Sequence, residues 1–338
     1  MVGVKMGAKR ILYLDLAKLF TIYLVLLGHV IVRITIDNPR NNLLHECIYS
    51  FHMPLFMLMS GYFASNKLGE MPVIDLLRKK GLQLLLPAVT CTIICCVYIW
   101  LAKDHPNYRD EMIGNSWFLK TLFVYYVLFG LLKRLPVNDW VLCVVSCMVL
   151  FVTPGCSSLQ VNLLFPYFWG GYLLRKYGVL ERICFSWKYA LVFVLIFGVA
   201  YYQQRHWDIP NYIAINSCSL QTDWHRILFR YLIAFSGSLS VITVISVIYN
   251  HLEGCSFINR LSQYGQWTLG VYVLQNILVE NIFPDTLAWY VESELLLDAV
   301  IAPLLSVGFL ALCLWLIHWL SKNKIVDLLM FGGQYYKE

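Results

Sequence analysis

The chain has 338 residues, 59% of them apolar and only 14% charged, with a net charge of +6 and a mean hydropathy of +0.64. Soluble domains carry about 25% charged residues, so the composition argues against a soluble enzyme, and the short basic segments between apolar runs need no nucleic-acid partner. A polytopic membrane protein remains, and an all-α bundle, because a helix satisfies its own backbone in lipid.

Apolar runs of about 17–25 residues predict about ten transmembrane helices. They fall near residues 11–33, 46–64, 81–102, 116–132, 139–153, 162–174, 189–203, 227–249, 267–283 and 297–321, in one domain over 1–338 with no soluble domain. Most of the 26 basic residues lie on the segments that are inside if the N-terminus is cytoplasmic. The positive-inside rule then puts both termini in the cytoplasm, for a protein expected in the cytoplasmic (inner) membrane. The first apolar segment lacks a small-residue cleavage site and is expected to stay as a helix.

That first helix carries Asp15, Lys18 and His29. Ionisable groups at membrane depth cost roughly 2.5–3.5 kcal/mol each on insertion scales, so three on one helix face call for a role. Lys18 and His29 are about three turns, or roughly 16 Å, apart and nearly in register around the axis. Asp15 precedes Lys18 by about one turn. His29 reads either as an interfacial histidine or as a general base, which a neutral imidazole supplies near neutral pH. Asp15 and Lys18 read either as a neutralising pair or as part of the same path.

The second helix descends from the outer side and holds His52 at nearly the depth of His29, so the two are expected to converge. Pro54 removes a backbone donor and frees a carbonyl, which favours a cavity beside it. Ser60-Gly61 predicts a close helix contact. Arg78, Lys79 and Lys80 stand at the inner mouth of the third helix, as interfacial anchors or as partners for the phosphates of a cytosolic donor. Trp117 suits an interfacial belt and Lys120 can snorkel outward. Arg230 and Glu280 are further polar candidates without an assigned role, and the outer segments near 204–226 and 284–296 carry no recognisable binding pattern. The 11 cysteines show no metal-ligand spacing, so no metal is predicted. Cys156 and Cys218, both in outer segments, can pair if that side is oxidising.

Taken together, the ordered set resembles the acyltransferase family 3 integral membrane proteins, in particular the fucose 4-O-acetylase-like and polysaccharide O-acetyltransferase branch. The set comprises Asp15-Leu-Ala-Lys18 with Gly28-His29, Phe51-His52-Met-Pro with Ser60-Gly61-Tyr62, and Arg78-Lys79-Lys80 with Leu86-Pro87. Trp117-Phe-Leu, Phe165 to Leu174 and Gly270 to Gln275 complete it over nearly the whole chain.

The resemblance implies transfer of an acetyl or other short acyl group from a cytosolic coenzyme A thioester to a hydroxyl of an envelope or exported carbohydrate, free or lipid-linked. The family's first-helix arginine and histidine correspond to Lys18 and His29, and lysine keeps the charge while losing the planar fork. A histidine common at the end of the family's ninth-helix motif is Gln275 here, which removes a base from that place. Some relatives carry a fused extracytoplasmic domain, so this chain is expected to act alone or with a separate envelope glycan-assembly partner.

On this basis Arg78, Lys79 and Lys80 are the expected contacts of acetyl-CoA or another short acyl-CoA. His29 is the expected base or transient acyl carrier, His52 its orienting partner, and Lys18 with Asp15 the lining of the inner path. A transporter or flippase for a glycan intermediate or small solute is the competing class, which paired broken helices would favour.

Overall fold

The computed structural model describes residues 11–34, 42–102, 112, 114–153, 159–282 and 294–336, and is all-helical, with no strand among the described residues. Cys156, one half of the expected cysteine pair, lies outside the described residues, as does most of the segment near 284–296. The helices that matter for the site are α1 (Leu12–Ile34), α2 (Leu43–Tyr62), α3 (Val73–Leu101), α4 (Trp117–Leu132), α5 (Asp139–Val152) and α6 (Val161–Lys176). They continue with α7 (Trp187–His206), α8 (Trp224–His251), α9 (Ser256–Tyr264), α10 (Thr268–Gln275), α11 (Leu297–Leu320) and α12 (Lys324–Phe331). Helices α1, α3, α8 and α11 are long and apolar enough to cross a membrane.

Local sequence sets the helix ends. The Asn42 side chain accepts the His45 N–H at 2.9 Å and starts α2, as Asn138 does for α5 by accepting the Trp140 N–H. The third helix begins at Val73, earlier than the expected residue 81, with a wide turn over Gly81–Leu85. The basic triplet therefore lies on helix, where each successive residue turns by about 100°.

Of the four long apolar helices α1 is the most buried, and it packs on α2, α8, α9, α10 and α11. The expected small-residue contact is real: a Cβ on Gly61 would lie 1.8 Å from the Phe168 carbonyl oxygen, and one on Gly171 1.8 Å from that of Leu58. Helices α2 and α6 thus cross backbone to backbone, which fixes the part of α2 that follows His52. By contrast, α5 and α7 turn Val145, Met148, Leu191 and Leu195 outward, as a lipid-facing surface requires. At one end of the bundle Asp139 gathers Lys133, Lys176 (2.5 Å) and the Tyr172 hydroxyl (2.8 Å), tying α4, α5 and α6 together.

Candidate active site

Two cavities lie along α1. The first, of about 290 Å³, is lined by Lys18 and Ile22 of the N-terminal half, with Lys80, Phe63, Tyr126 and Gln83. The second, of about 210 Å³, is lined by Val25 and His29 of the C-terminal half, with His52, Pro54, Arg230 and Glu280. Met53 and Tyr272 line both, so the cavities share a wall made of those two side chains.

In the His29 cavity, the His29 Nδ1 stands 3.1 Å from Glu280 Oε1, each side chain about a third exposed (27% and 30%). A carboxylate at Nδ1 holds the proton there and leaves Nε2 as the basic nitrogen, the orientation a general base requires. Glu280 is positioned by the backbone as well as by its neighbours. It lies on Asn276–Ile282, a wide-turn continuation of α10, and its carbonyl oxygen accepts Arg33 Nη2 at 2.7 Å. Wide turns of this kind commonly re-aim side chains at functional sites. The Gln275 amide donates to Asn276 Oδ1 at 2.7 Å and reaches Glu280 Oε1 at 3.4 Å. Where the family resemblance leads one to look for a base, the glutamine therefore steadies the carboxylate.

His52 shares this cavity with His29, as expected from their depth, but the two are not bonded. The Tyr49 ring stands between them, 6.4 Å from His29 and 4.7 Å from His52, and His45 rests on the same ring at 3.9 Å. His52 Nδ1 donates to the Ile48 carbonyl at 2.8 Å, since a carbonyl can only accept, which makes Nε2 the acceptor of that ring too. The cavity thus contains two imidazoles with separately fixed tautomers.

Pro54 does what its missing donor predicts. The carbonyl it leaves without a helical partner is that of Ser50, and this oxygen accepts Arg230 Nη1 at 2.5 Å. Arg230 also donates through Nε to the Asn211 carbonyl at 2.7 Å. The segment near 204–226, which shows no binding pattern in the sequence, therefore reaches the site through Asn211 and Tyr212.

In the Lys18 cavity, Lys18 Nζ lies 3.1 Å from Asp15 Oδ1 and 4.0 Å above the Phe63 ring. Lys80 Nζ lies 3.7 Å above the Tyr126 ring. Arg78 and Lys79 are exposed and do not line the cavity, and neither does Asp15, which is buried behind Lys18. Lys120 donates to the carbonyls of Met112 (2.6 Å) and Asn115 (2.7 Å) and lies outside both cavities, while Trp117 lines the His29 cavity.

The structure brings His29 and His52 to one cavity and Lys18 to the other, and it adds the pairing of Glu280 with His29 that the sequence pattern missed. The available signal was depth: both sit about one turn from the same end of their helices.

Comparison with known proteins bears on the family of the chain as a whole. A family profile described as an acyltransferase domain matches residues 11–318. The nodulation protein NolL of Mesorhizobium japonicum is 26% identical over 291 residues, covering 79% of this chain and 76% of that protein. The NolL of Sinorhizobium fredii is 26% identical over 284 residues, covering 77% and 76%. No solved structure matches the chain.

Proposed function

The chain belongs to the acyltransferase domain family, and from that membership we propose that it moves an acetyl or other short acyl group from a cytosolic coenzyme A thioester to a hydroxyl of an envelope or exported carbohydrate. The observation that carries this reading is the pair of cavities sharing the Met53–Tyr272 wall, with the His29–Glu280 pair in one and two lysines in the other.

The Lys18 cavity suits the donor. At about 290 Å³ it is at the small end of small-molecule pockets, which span ~300–1,000 Å³. It therefore takes the acylated arm of coenzyme A and leaves the nucleotide outside, where Arg78 and Lys79 are exposed to meet phosphates. Lys18 and Lys80 contribute positive charge to the cavity itself. The acceptor hydroxyl enters the His29 cavity. His29 Nε2 takes its proton while the freed oxygen attacks the acyl carbonyl, and the proton then leaves on the departing thiol. Glu280 holds the imidazole in the right tautomer and offsets the charge it gains, as a third group does for many activated bases. His52 and Tyr49 pack beside it and fix where the acceptor lies.

This assignment takes the bundle as a ten-span protein of the inner membrane with both termini cytoplasmic, so that the Lys18 cavity faces the cytosol. Free thiol released from acetyl-CoA by the purified full chain, followed with and without His29→Gln, tests the reading. Release by the wild type that is lost in the variant supports it; equal release by both removes His29 from the chemistry. No release and no acylated product under any condition favours the transporter class.

A further inference from the structure

The geometry points to Arg230 and Tyr167 as an anchor for an acidic group, a carboxylate or a phosphate, carried by the acceptor; this rests on the acyltransferase reading. Arg230 is buried in α8, 2% exposed, and lines the His29 cavity. Its guanidinium has five N–H donors. Three bonds are made, to the carbonyls of Asn211 (2.7 Å), Ser50 (2.5 Å) and Tyr49 (3.4 Å). All three acceptors are neutral, so the positive charge stays uncompensated and two donors remain. No carboxylate among the described residues pairs with it, and Glu280, in the same cavity, is engaged with His29 and Gln275.

Tyr167 is the independent observation. It is 1% exposed and lines the same cavity, and its hydroxyl is buried without a hydrogen-bond partner. Buried phenol groups nearly always find a partner. A permanent cation with spare donors and an unmatched hydroxyl in one cavity are together complementary to a group that only accepts and carries negative charge. The planar fork of arginine suits carboxylate and phosphate, whereas a sugar hydroxyl would leave the charge uncompensated.

The acid belongs to the acceptor and not to the donor, because Arg230 and Lys18 lie in cavities divided by the Met53–Tyr272 wall. At about 210 Å³ the cavity falls below the ~300 Å³ at which small-molecule pockets begin, which is room for one sugar unit. An acidic sugar held at Arg230 turns its reacting hydroxyl toward the imidazole side of the cavity.

The test is binding to the purified full chain, read as thermal stabilisation by methyl glucuronide, glucose 1-phosphate and neutral methyl glucoside. At least one acidic sugar is expected to stabilise the protein at concentrations where the neutral one does not, and the two acidic arms tell carboxylate from phosphate. Tyr167→Phe deletes only the unbonded hydroxyl and is expected to weaken that binding several-fold. Arg230→Lys is expected to weaken it about tenfold and Arg230→Gln more. Should Arg230→Gln fail to fold, Tyr167→Phe and Arg230→Lys still decide.

Equal binding of the neutral sugar, no binding of either acidic sugar, or unchanged binding in Tyr167→Phe and Arg230→Lys would overturn the anchor. In turnover with acetyl-CoA the loss should fall on KM for the acidic sugar. A loss confined to kcat would instead make Arg230 a stabiliser of the reacting carbonyl oxygen and overturn the anchor. If acidic sugars bind but the wild type never releases thiol from acetyl-CoA, the acyltransferase reading fails and the anchor stands.

Discussion

The two cavities hold their charges in different ways. In the Lys18 cavity both cations lie over aromatic faces, Lys18 on Phe63 with one bond to Asp15 and Lys80 on Tyr126, and lysine is a point charge on a flexible stem. In the His29 cavity the two imidazoles and the guanidinium are each fixed by directional bonds. His29 is held by Glu280, His52 by the Ile48 carbonyl, and Arg230 by the carbonyls of Ser50 and Asn211. Charges resting on ring faces can adjust to a long, flexible ligand. Groups held at set distances suit the transfer of a proton. On the proposed reading one cavity binds and the other reacts, and the shared wall divides these tasks.

The largest test of that contrast is His29→Ala, expected to lower acyl transfer by about 10²–10⁴-fold, the usual contribution of a general base, while acyl-CoA binding to the Lys18 cavity persists. Equal losses of binding and turnover would erase the division. Next, Glu280→Gln keeps the shape and removes the charge. A fall in kcat of roughly tenfold to a hundredfold is expected, less than loss of the base because the carboxylate is partly exposed and screened.

Within the donor side, Lys80→Ala should raise KM for acetyl-CoA by about tenfold, the scale of one charged hydrogen bond. Lys79→Ala should change it by less than about twofold, as an exposed charge does. If Lys79 proves the more sensitive, the phosphates and not the arm dominate donor binding. The smallest expected effect is on orientation alone. Cys218 and Cys255 are both exposed and flank the long helix α8. A membrane-impermeant thiol reagent on intact cells should label Cys218 and spare Cys255 until the membrane is opened. The Cys255 thiol, which the backbone N–H groups of Ile258 and Phe257 hold below its ordinary range, should then react readily as thiolate.

Much of the bundle is legible in the sequence, since an apolar run of span length has few alternatives to a helix in lipid. Each of the expected segments carries a helix, and four are long and apolar enough to cross a membrane by themselves. The stripe on α1 was legible for a related reason: an ionisable group stands out against an apolar background. The carbonyl freed by Pro54 and the Gly61 contact were legible too, because a missing donor and a missing side chain have fixed consequences.

Partnerships across the chain were not legible. Nothing in the spacing links Glu280 to His29, or Arg230 to the Ser50 carbonyl, because these contacts depend on how distant helices pack. The basic triplet shows a third limit. Read as a block it offers three equivalent cations, yet the helix begins at Val73 and the rotation between neighbours turns Lys80 alone toward the cavity. That phase was calculable once the start of the helix was known.

The wall between the cavities carries a consequence for the cell's energy supply. A protein that passes a chemical group from one face of the membrane toward the other risks becoming a leak for protons and small ions. Met53 offers a thioether, and the Tyr272 hydroxyl is occupied by accepting the Phe118 N–H at 3.4 Å. Neither supplies the continuous row of donors and acceptors along which protons hop or a stripped ion is rehydrated. On the proposed reading the acyl group meets only this thioether and this ring between the cavities, and neither carries a charge. On the proposed acyl-transfer reading, a wall of this kind favours keeping the electrochemical gradient through each turnover.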